Sequence, residues 1–257
     1  MSNMANLDPT NSHSVLAGRV VLVTGAARRI GAALARGFHA HGADVCIHCR
    51  QSIDEAEQLR DELNQRRAKS AVIVSADLLD VAALPGIVTA AVSAFGRLDV
   101  LVNNASTFYP TPLGSVSPAQ WDDLIGTNLR APFFLAQAAA SRLRAARGVI
   151  VNIADLAAFE TWPAYLPHGI SKSGVVHLTR SLARVLAPEV RVAGIAPGTV
   201  LLPENWDAGA AEHLRETTPL GRSGSPADVT STVLFILDSD YLTGETIIVD
   251  GGRHVRR

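Results

Sequence analysis

Cysteine is scarce. The 257-residue chain has two, Cys46 and Cys49, too few for a disulfide framework. They spell C-x-x-C, the spacing of a redox or zinc pair. Yet they fall in Asp44-Val-Cys-Ile-His-Cys49, which reads as a strand, and residues three apart on a strand point to opposite faces. No second cysteine pair is present to complete a zinc site. No metal is expected. An excess of one charge is also missing. Lys plus Arg number 23 and Asp plus Glu 24, giving a net charge of −1. That balance offers no electrostatic case for nucleic acid or an anionic membrane as partner. No apolar run is long enough for a membrane span. The start of the chain has no basic stretch leading into an apolar one, so no signal peptide is expected. These absences lead us to expect a cytoplasmic protein, with residues 1–16 as a polar, disordered tail.

The remainder alternates short apolar runs with amphipathic stretches. Strands are expected at 19–24, 44–48, 71–75, 99–103, 149–153, 191–195 and 246–249. Most are continuous Val/Ile/Leu runs, the composition of strands buried on both faces of a parallel sheet. Helices are expected at 29–41, 54–66, 80–95, 118–144, 165–187, 205–217 and 226–238. This β/α alternation predicts one α/β domain over 17–257, a doubly wound, seven-stranded parallel sheet with helices on both faces. Ser117-Pro118-Ala-Gln120 and Ser225-Pro226-Ala-Asp228 are helix-start signals. Gly42, Gly96 and Gly148 fall where helices should stop.

The first strand runs into Thr24-Gly25-Ala26-Ala27-Arg28-Arg29-Ile30-Gly31. A strand, a glycine-bearing turn and a helix make an anion site, because glycine admits the pyrophosphate and the helix start offers unpaired N–H groups. The pattern departs from G-x-G-x-x-G, with Arg29 standing where a glycine is usual. The second strand ends in Cys49-Arg50-Gln51-Ser52. An NAD site places Asp or Glu there for the ribose 2′-hydroxyl. Arg50 and Ser52 instead suit a 2′-phosphate, which favours NADPH on a Rossmann-type domain.

Thr24-Gly25 with Gly31, Asp77-Leu78, Asn103-Asn104-Ala105-Ser106, Asn128, Lys172 and Pro197-Gly198 occur in the order of a short-chain dehydrogenase/reductase. The chain resembles that family over about residues 19–253. Within it, Arg29, the segment Asn104-Ala-Ser-Thr-Phe-Tyr-Pro-Thr-Pro112, Asp155 and the ending Asp250-Gly-Gly-Arg-His resemble the pteridine reductases. The resemblance implies cofactor contacts from Gly25, Arg28, Arg29, Ile30, Gly31, Arg50, Gln51, Ser52, Pro197, Gly198 and Val200. It implies adenine contacts from Asp77 and Leu78, and contacts on the nicotinamide side from Asn104, Ala105 and Ser106. Lys172 would hold the nicotinamide ribose, with Asn128 supporting it through water. Phe108 would stack on a pterin, Arg29 would reach both phosphate and substrate, and Asp155 and His168 would meet the substrate. The resemblance further implies a homotetramer with interface helices around 118–144 and 165–187, and Arg253–Arg257 reaching a neighbouring subunit's site.

One position breaks the family pattern. The family's catalytic tyrosine precedes its lysine by four residues, and here that position is His168. Tyr165 is three residues too early, rotated by about 60° on a helix of 3.6 residues per turn, although it lies near the helix start. Imidazole can serve as a general acid or base, but it reaches less far than a phenol. A carboxyl in a closed site can hold a proton and donate it, which makes Asp155 a candidate acid. The expected chemistry is hydride transfer from NADPH to a pterin or related flat heterocycle, with Asp155 and His168 managing the proton. A carbonyl reductase and an NADP-binding protein without turnover stand as alternatives.

Overall fold

Seven strands of mostly Val, Ile, Leu and Ala form the centre of the molecule: β1 Val20–Val23, β2 Asp44–Cys49, β3 Ala71–Ser75, β4 Val100–Asn103, β5 Val149–Ile153, β6 Arg191–Pro197 and β7 Thr246–Val249. They form one parallel sheet in the order β3-β2-β1-β4-β5-β6-β7. The expected doubly wound, Rossmann-type fold is what the chain adopts. The structure, a computed structural model, describes residues 16–202 and 208–255. Residues 1–15 of the expected tail, 203–207, and Arg256 and Arg257 lie outside the described residues.

Eight helices are described: α1 Arg29–Ala40, α2 Ile53–Arg66, α3 Leu84–Phe95, α4 Pro118–Ile125, α5 Ala131–Ala146, α6 Leu166–Leu186, α7 Ala208–Thr217 and α8 Pro226–Asp238. Helices α1, α2 and α8 send Phe38, Leu59 and Val233 into the core on one face of the sheet. Helices α3, α5 and α6 send Ile87, Leu135 and Leu186 into the core on the other. Cys49 belongs to the first core and Cys46 to the second, so the C-x-x-C pair straddles the sheet as strand geometry requires. Strand order reverses between β1 and β4. A crevice therefore opens beyond the carboxyl ends of these two strands, the usual ligand position in such sheets. No helix among the described residues is long and apolar enough to cross a membrane.

Four local expectations need correction. Leu16 is not part of a solvated tail. It is fully buried, and its N–H donates to His41 O at 3.1 Å. The expected helix 118–144 is α4 and α5 joined by a π-turn at Gly126–Arg130. A Cβ on Gly126 would stand 2.5 Å from Leu79 Cδ2, so glycine permits this close packing. The turn buries Asn128. The expected helix 80–95 begins with a 3-10 turn, Val81–Ala83, capped by Asp80. At the end of α5 the left-handed residue is Arg147 (φ 48°), and Gly148 instead allows close approach to Asp99 O, 2.4 Å from where its Cβ would be.

Candidate active site

The crevice divides into two cavities, the first of about 370 Å³ along the phosphate turn. Thr24 organises this turn from below: its Oγ1 accepts from Asn104 N–H at 2.9 Å and Ala105 N–H at 3.0 Å. Asn104 Nδ2 donates back to Thr24 O (2.8 Å) and Gly25 O (3.1 Å), locking the β1 and β4 ends together. Gly25 takes φ +62°, and a Cβ on Gly31 would lie 2.2 Å from Gly25 O. Only glycine fits at Gly31. Arg29 also adopts a left-handed backbone (φ 54°), the conformation that ordinarily favours glycine there. Helix α1 has no side-chain cap and no acidic residue in its first turn, so its N–H groups face an anion without competition.

Gly25, Arg28, Arg29, Ile30, Gly31, Arg50, Gln51, Ser52, Asp77, Leu78, Asn104, Ala105 and Ser106 all line this cavity. Ser52 is the N-cap of α2, yet its side chain makes no cap bond. Arg50 Nη1 lies 3.8 Å from Asp77 Oδ1, with both side chains nearly half exposed. Such a loose surface pair contributes little and leaves the guanidinium easily re-aimed. The cradle that a Cβ would fill, the uncapped helix start and the basic, hydroxyl-bearing β2 end fit a phosphate-bearing dinucleotide.

The second cavity, of about 870 Å³, adjoins the first. Arg29, Phe108, Asp155, His168, Lys172, Pro197, Gly198 and Val200 line it, and Arg29 borders both. Phe108 is half exposed. One face stacks on Tyr165, with centroids 4.6 Å apart and planes within 1°. His168 meets the Phe108 ring edge-on at 4.8 Å, and Trp162 does so at 6.4 Å. Together these rings make an aromatic wall.

Asp155 starts a 3-10 turn, Leu156–Ala158, and its Oδ1 accepts from Ala157 N–H at 2.8 Å. Its Oδ2 lies 3.9 Å from His168 Nε2. The carboxylate side chain is 29% exposed and the imidazole 2%, so Asp155 is the group a ligand meets first. His168 Nε2 is buried without a hydrogen bond, and Nδ1 sits 3.3 Å from Thr107 O and 3.4 Å from Asn128 Nδ2. Lys172 is buried, and its Nζ donates to Ile153 O at 2.9 Å. Burial pulls its pKa down to about 8, against an opposing pull from Asp155.

Asn128 lines neither cavity. Its Oδ1 accepts from Thr107 N–H (2.8 Å) and Ser106 Oγ (3.1 Å), and its Nδ2 donates to Thr107 O and Ser171 Oγ, both at 3.1 Å. In this structure it ties the Ser106–Thr107 loop after β4 to His168 and Ser171; its protein contacts do not run to Lys172. Arg253 lines its own chain's cavity and donates to Thr199 Oγ1 at 3.1 Å. Asp250 holds that segment, accepting from Gly252 N–H and His254 N–H. His48 and Trp162 also line these cavities, and no sequence pattern marks either. Trp162 follows Glu160, which accepts its indole N–H at 3.1 Å, and carries no recognisable motif.

Comparison with known proteins agrees with this architecture. A family model described as enoyl-(acyl carrier protein) reductase matches residues 25–254. The chain is 37% identical to pteridine reductase 1 of Leishmania tarentolae, across 93% of this chain and 97% of that protein. It is 33% identical to a 3-oxoacyl-(acyl-carrier-protein) reductase of Staphylococcus aureus, across 91% and 97%. It is 32% identical to 3beta-hydroxysteroid dehydrogenase 1 of Eggerthella lenta, across 92% and 94%.

Proposed function

Because the chain belongs to the short-chain dehydrogenase/reductase family, we propose that it is a cytoplasmic, NADPH-dependent reductase of a pterin or related flat heterocycle. The observation that carries this reading is a carboxylate, Asp155, facing an aromatic-walled cavity that adjoins the dinucleotide crevice. The similarity to pteridine reductase 1 supports it. A dinucleotide held in that crevice would supply the hydride that reduces the carbon of a C=N bond.

The chain's own residues then bind and orient the two ligands. Gly25, Gly31 and the α1 start hold the pyrophosphate, while Arg50 and Ser52 take the 2′-phosphate. Asp77 and Leu78 hold the adenine. Asn104, Ala105, Ser106, Pro197, Gly198 and Val200 frame the nicotinamide end, and Lys172 holds its ribose. Phe108, half exposed and stacked on Tyr165, offers its accessible surface to the substrate ring.

The proton comes from the Asp155–His168 pair. His168 stands in the place of the family's tyrosine but is the more deeply buried partner. Asp155 therefore presents the proton to the ring nitrogen beside the reduced carbon. His168 Nε2 stands 3.9 Å behind, beyond hydrogen-bond distance, and would resupply the proton only once the pair closes. Asn128 fixes the wall on which His168 sits.

The enzyme is expected to consume NADPH with dihydrobiopterin, dihydrofolate or a relative. Absence of turnover across a pterin panel, with NADPH binding demonstrated, would overturn the reading. The similarity to a 3-oxoacyl reductase favours one alternative, reduction of a carbonyl. A ketone panel run in parallel separates the two. We further propose a homotetramer. Trp121 on α4, Phe133 on α5 and Ile170 on α6 are exposed apolar side chains on the helices expected to pair. Light scattering reads the mass.

A further inference from the structure

His48 is a buried imidazole on β2 that the proton chemistry does not use. Gly25 N–H donates to its Nδ1 at 3.2 Å, and Nε2 lies 3.2 Å from Ala76 O. Its own carbonyl accepts from Ala26 N–H at 2.8 Å. One residue thus contacts the phosphate turn through Gly25 and Ala26, and the segment leading into Asp77 and Leu78 through Ala76. Each ring nitrogen has one task. Nδ1 must be an acceptor, because it faces an N–H. Nε2 must be the donor, because it faces a carbonyl. These requirements select the neutral tautomer with the proton on Nε2. Protonation would set an N–H against the Gly25 N–H and break the bridge. Burial holds the ring neutral, pulling its pKa to about 4 against the opposing effects of Ala76 O and the Asp77 carboxylate. His48 also lines the cofactor cavity.

We propose that His48 is a positioning residue for the dinucleotide, setting the spacing between its pyrophosphate cradle and its adenine pocket. The inference rests on the reading of that cavity as an NADPH site. The two hydrogen bonds serve different ends of the cofactor, so they are separable. In His48→Asn the amide oxygen can replace Nδ1 as acceptor for Gly25, and the donor to Ala76 is lost. In His48→Gln the amide nitrogen can replace Nε2 as donor to Ala76, and the acceptor for Gly25 is lost. His48→Leu keeps neither.

The experiment titrates the wild type and three variants with NADPH and with adenosine 2′-phosphate, which lacks the pyrophosphate. Melting curves first establish that each variant is folded. His48→Leu is expected to weaken NADPH about tenfold or more, the worth of one to two hydrogen bonds. His48→Asn should weaken adenosine 2′-phosphate and NADPH alike. His48→Gln should leave adenosine 2′-phosphate within about twofold of wild type and weaken NADPH alone. In turnover, KM for NADPH should rise with little change in kcat. The proposal is overturned if all variants bind both ligands like wild type, or if all three lose both ligands equally. If wild type fails to bind NADPH at all, the reading of the cavity fails instead.

Discussion

At the scale of single residues, the question is which group holds the proton. Asp155 is part-exposed to the cavity, and its Oδ1 is pinned by Ala157 N–H, which leaves Oδ2 toward His168. Asp155→Asn keeps the size and the turn-capping oxygen but removes the acid. It should lower kcat by about 10² or more, the usual weight of a general acid, while the NADPH Kd stays near wild type. His168→Leu should cost less than Asp155→Asn. Single-turnover rates on both variants test the order, and an equal or larger loss at His168 would reverse the assignment. Lys172 supplies a pH signature. Its folded pKa is near 8, below the 10.5 of a free lysine. The charge that would hold the cofactor ribose is present below pH 8 and lost above it. NADPH affinity should therefore decline on raising pH through 8, and Lys172→Met should flatten that limb. Stability moves oppositely. The unfolded chain binds more protons between pH 8 and 10.5, so the penalty for burying this charge is full below 8 and fades as pH rises through that window.

Elements position these residues, and the phosphate turn shows how tightly. A Cβ at Gly31 would meet Gly25 O at 2.2 Å and Ala26 Cα at 2.8 Å, both backbone. Gly31→Ala should reduce stability by about 1–3 kcal/mol and abolish tight NADPH binding. Gly86→Ala in α3, where a Cβ meets nothing within 4 Å, should leave both within error or raise stability slightly. Denaturant melts and cofactor titrations of the two variants make the comparison. This sheet is legible from its sequence because strands buried on both faces must be continuously apolar, and the two Ser-Pro helix starts are legible because their capping boxes are local. What was hidden depends on tertiary contact. The π-turn at Gly126–Arg130 forms where residue 126 packs against Leu79, whose Cδ2 would lie 2.5 Å from a Cβ there. Leu16, with Val15 and Ala17 beside it, follows a polar stretch, and nothing local marks it as buried until its contact with His41 is known. Helical rotation alone would turn Tyr165 away, but its place at the helix start leaves it free of the wheel, and it precedes α6 in an unwound conformation (φ −137°). It lines the cavity and stacks on Phe108. His48 reads as one more strand residue, since nothing local reveals that Gly25 and Ala76 converge on its ring.

At the scale of the whole molecule, the cofactor crevice is a cross-link. Its lining comes from the ends of β1, β2 and β4, from the segment after β3 and from the π-turn, on both sides of the reversal in strand order. A ligand seated there touches segments that pack on both faces of the sheet, so its binding energy should appear as stability of the single cooperative unit. At about 100 times its Kd a ligand adds about 2.7 kcal/mol. For a chain of this length that corresponds to a rise of about 5–10 °C in Tm. NADPH should produce such a shift, and NADH at the same concentration should produce much less, because the β2 end offers Arg50 and Ser52 and no carboxylate at positions 49–52. Arg50→Leu should erase most of the difference by lowering the NADPH shift rather than raising that of NADH. The Asp77 carboxylate, 3.8 Å from Arg50, gains nothing that would help NADH unless it turns toward the ribose. Equal shifts with both cofactors in the wild type would remove the 2′-phosphate from the argument. A larger NADH shift in Arg50→Leu would show that Asp77 takes the ribose once the guanidinium is gone.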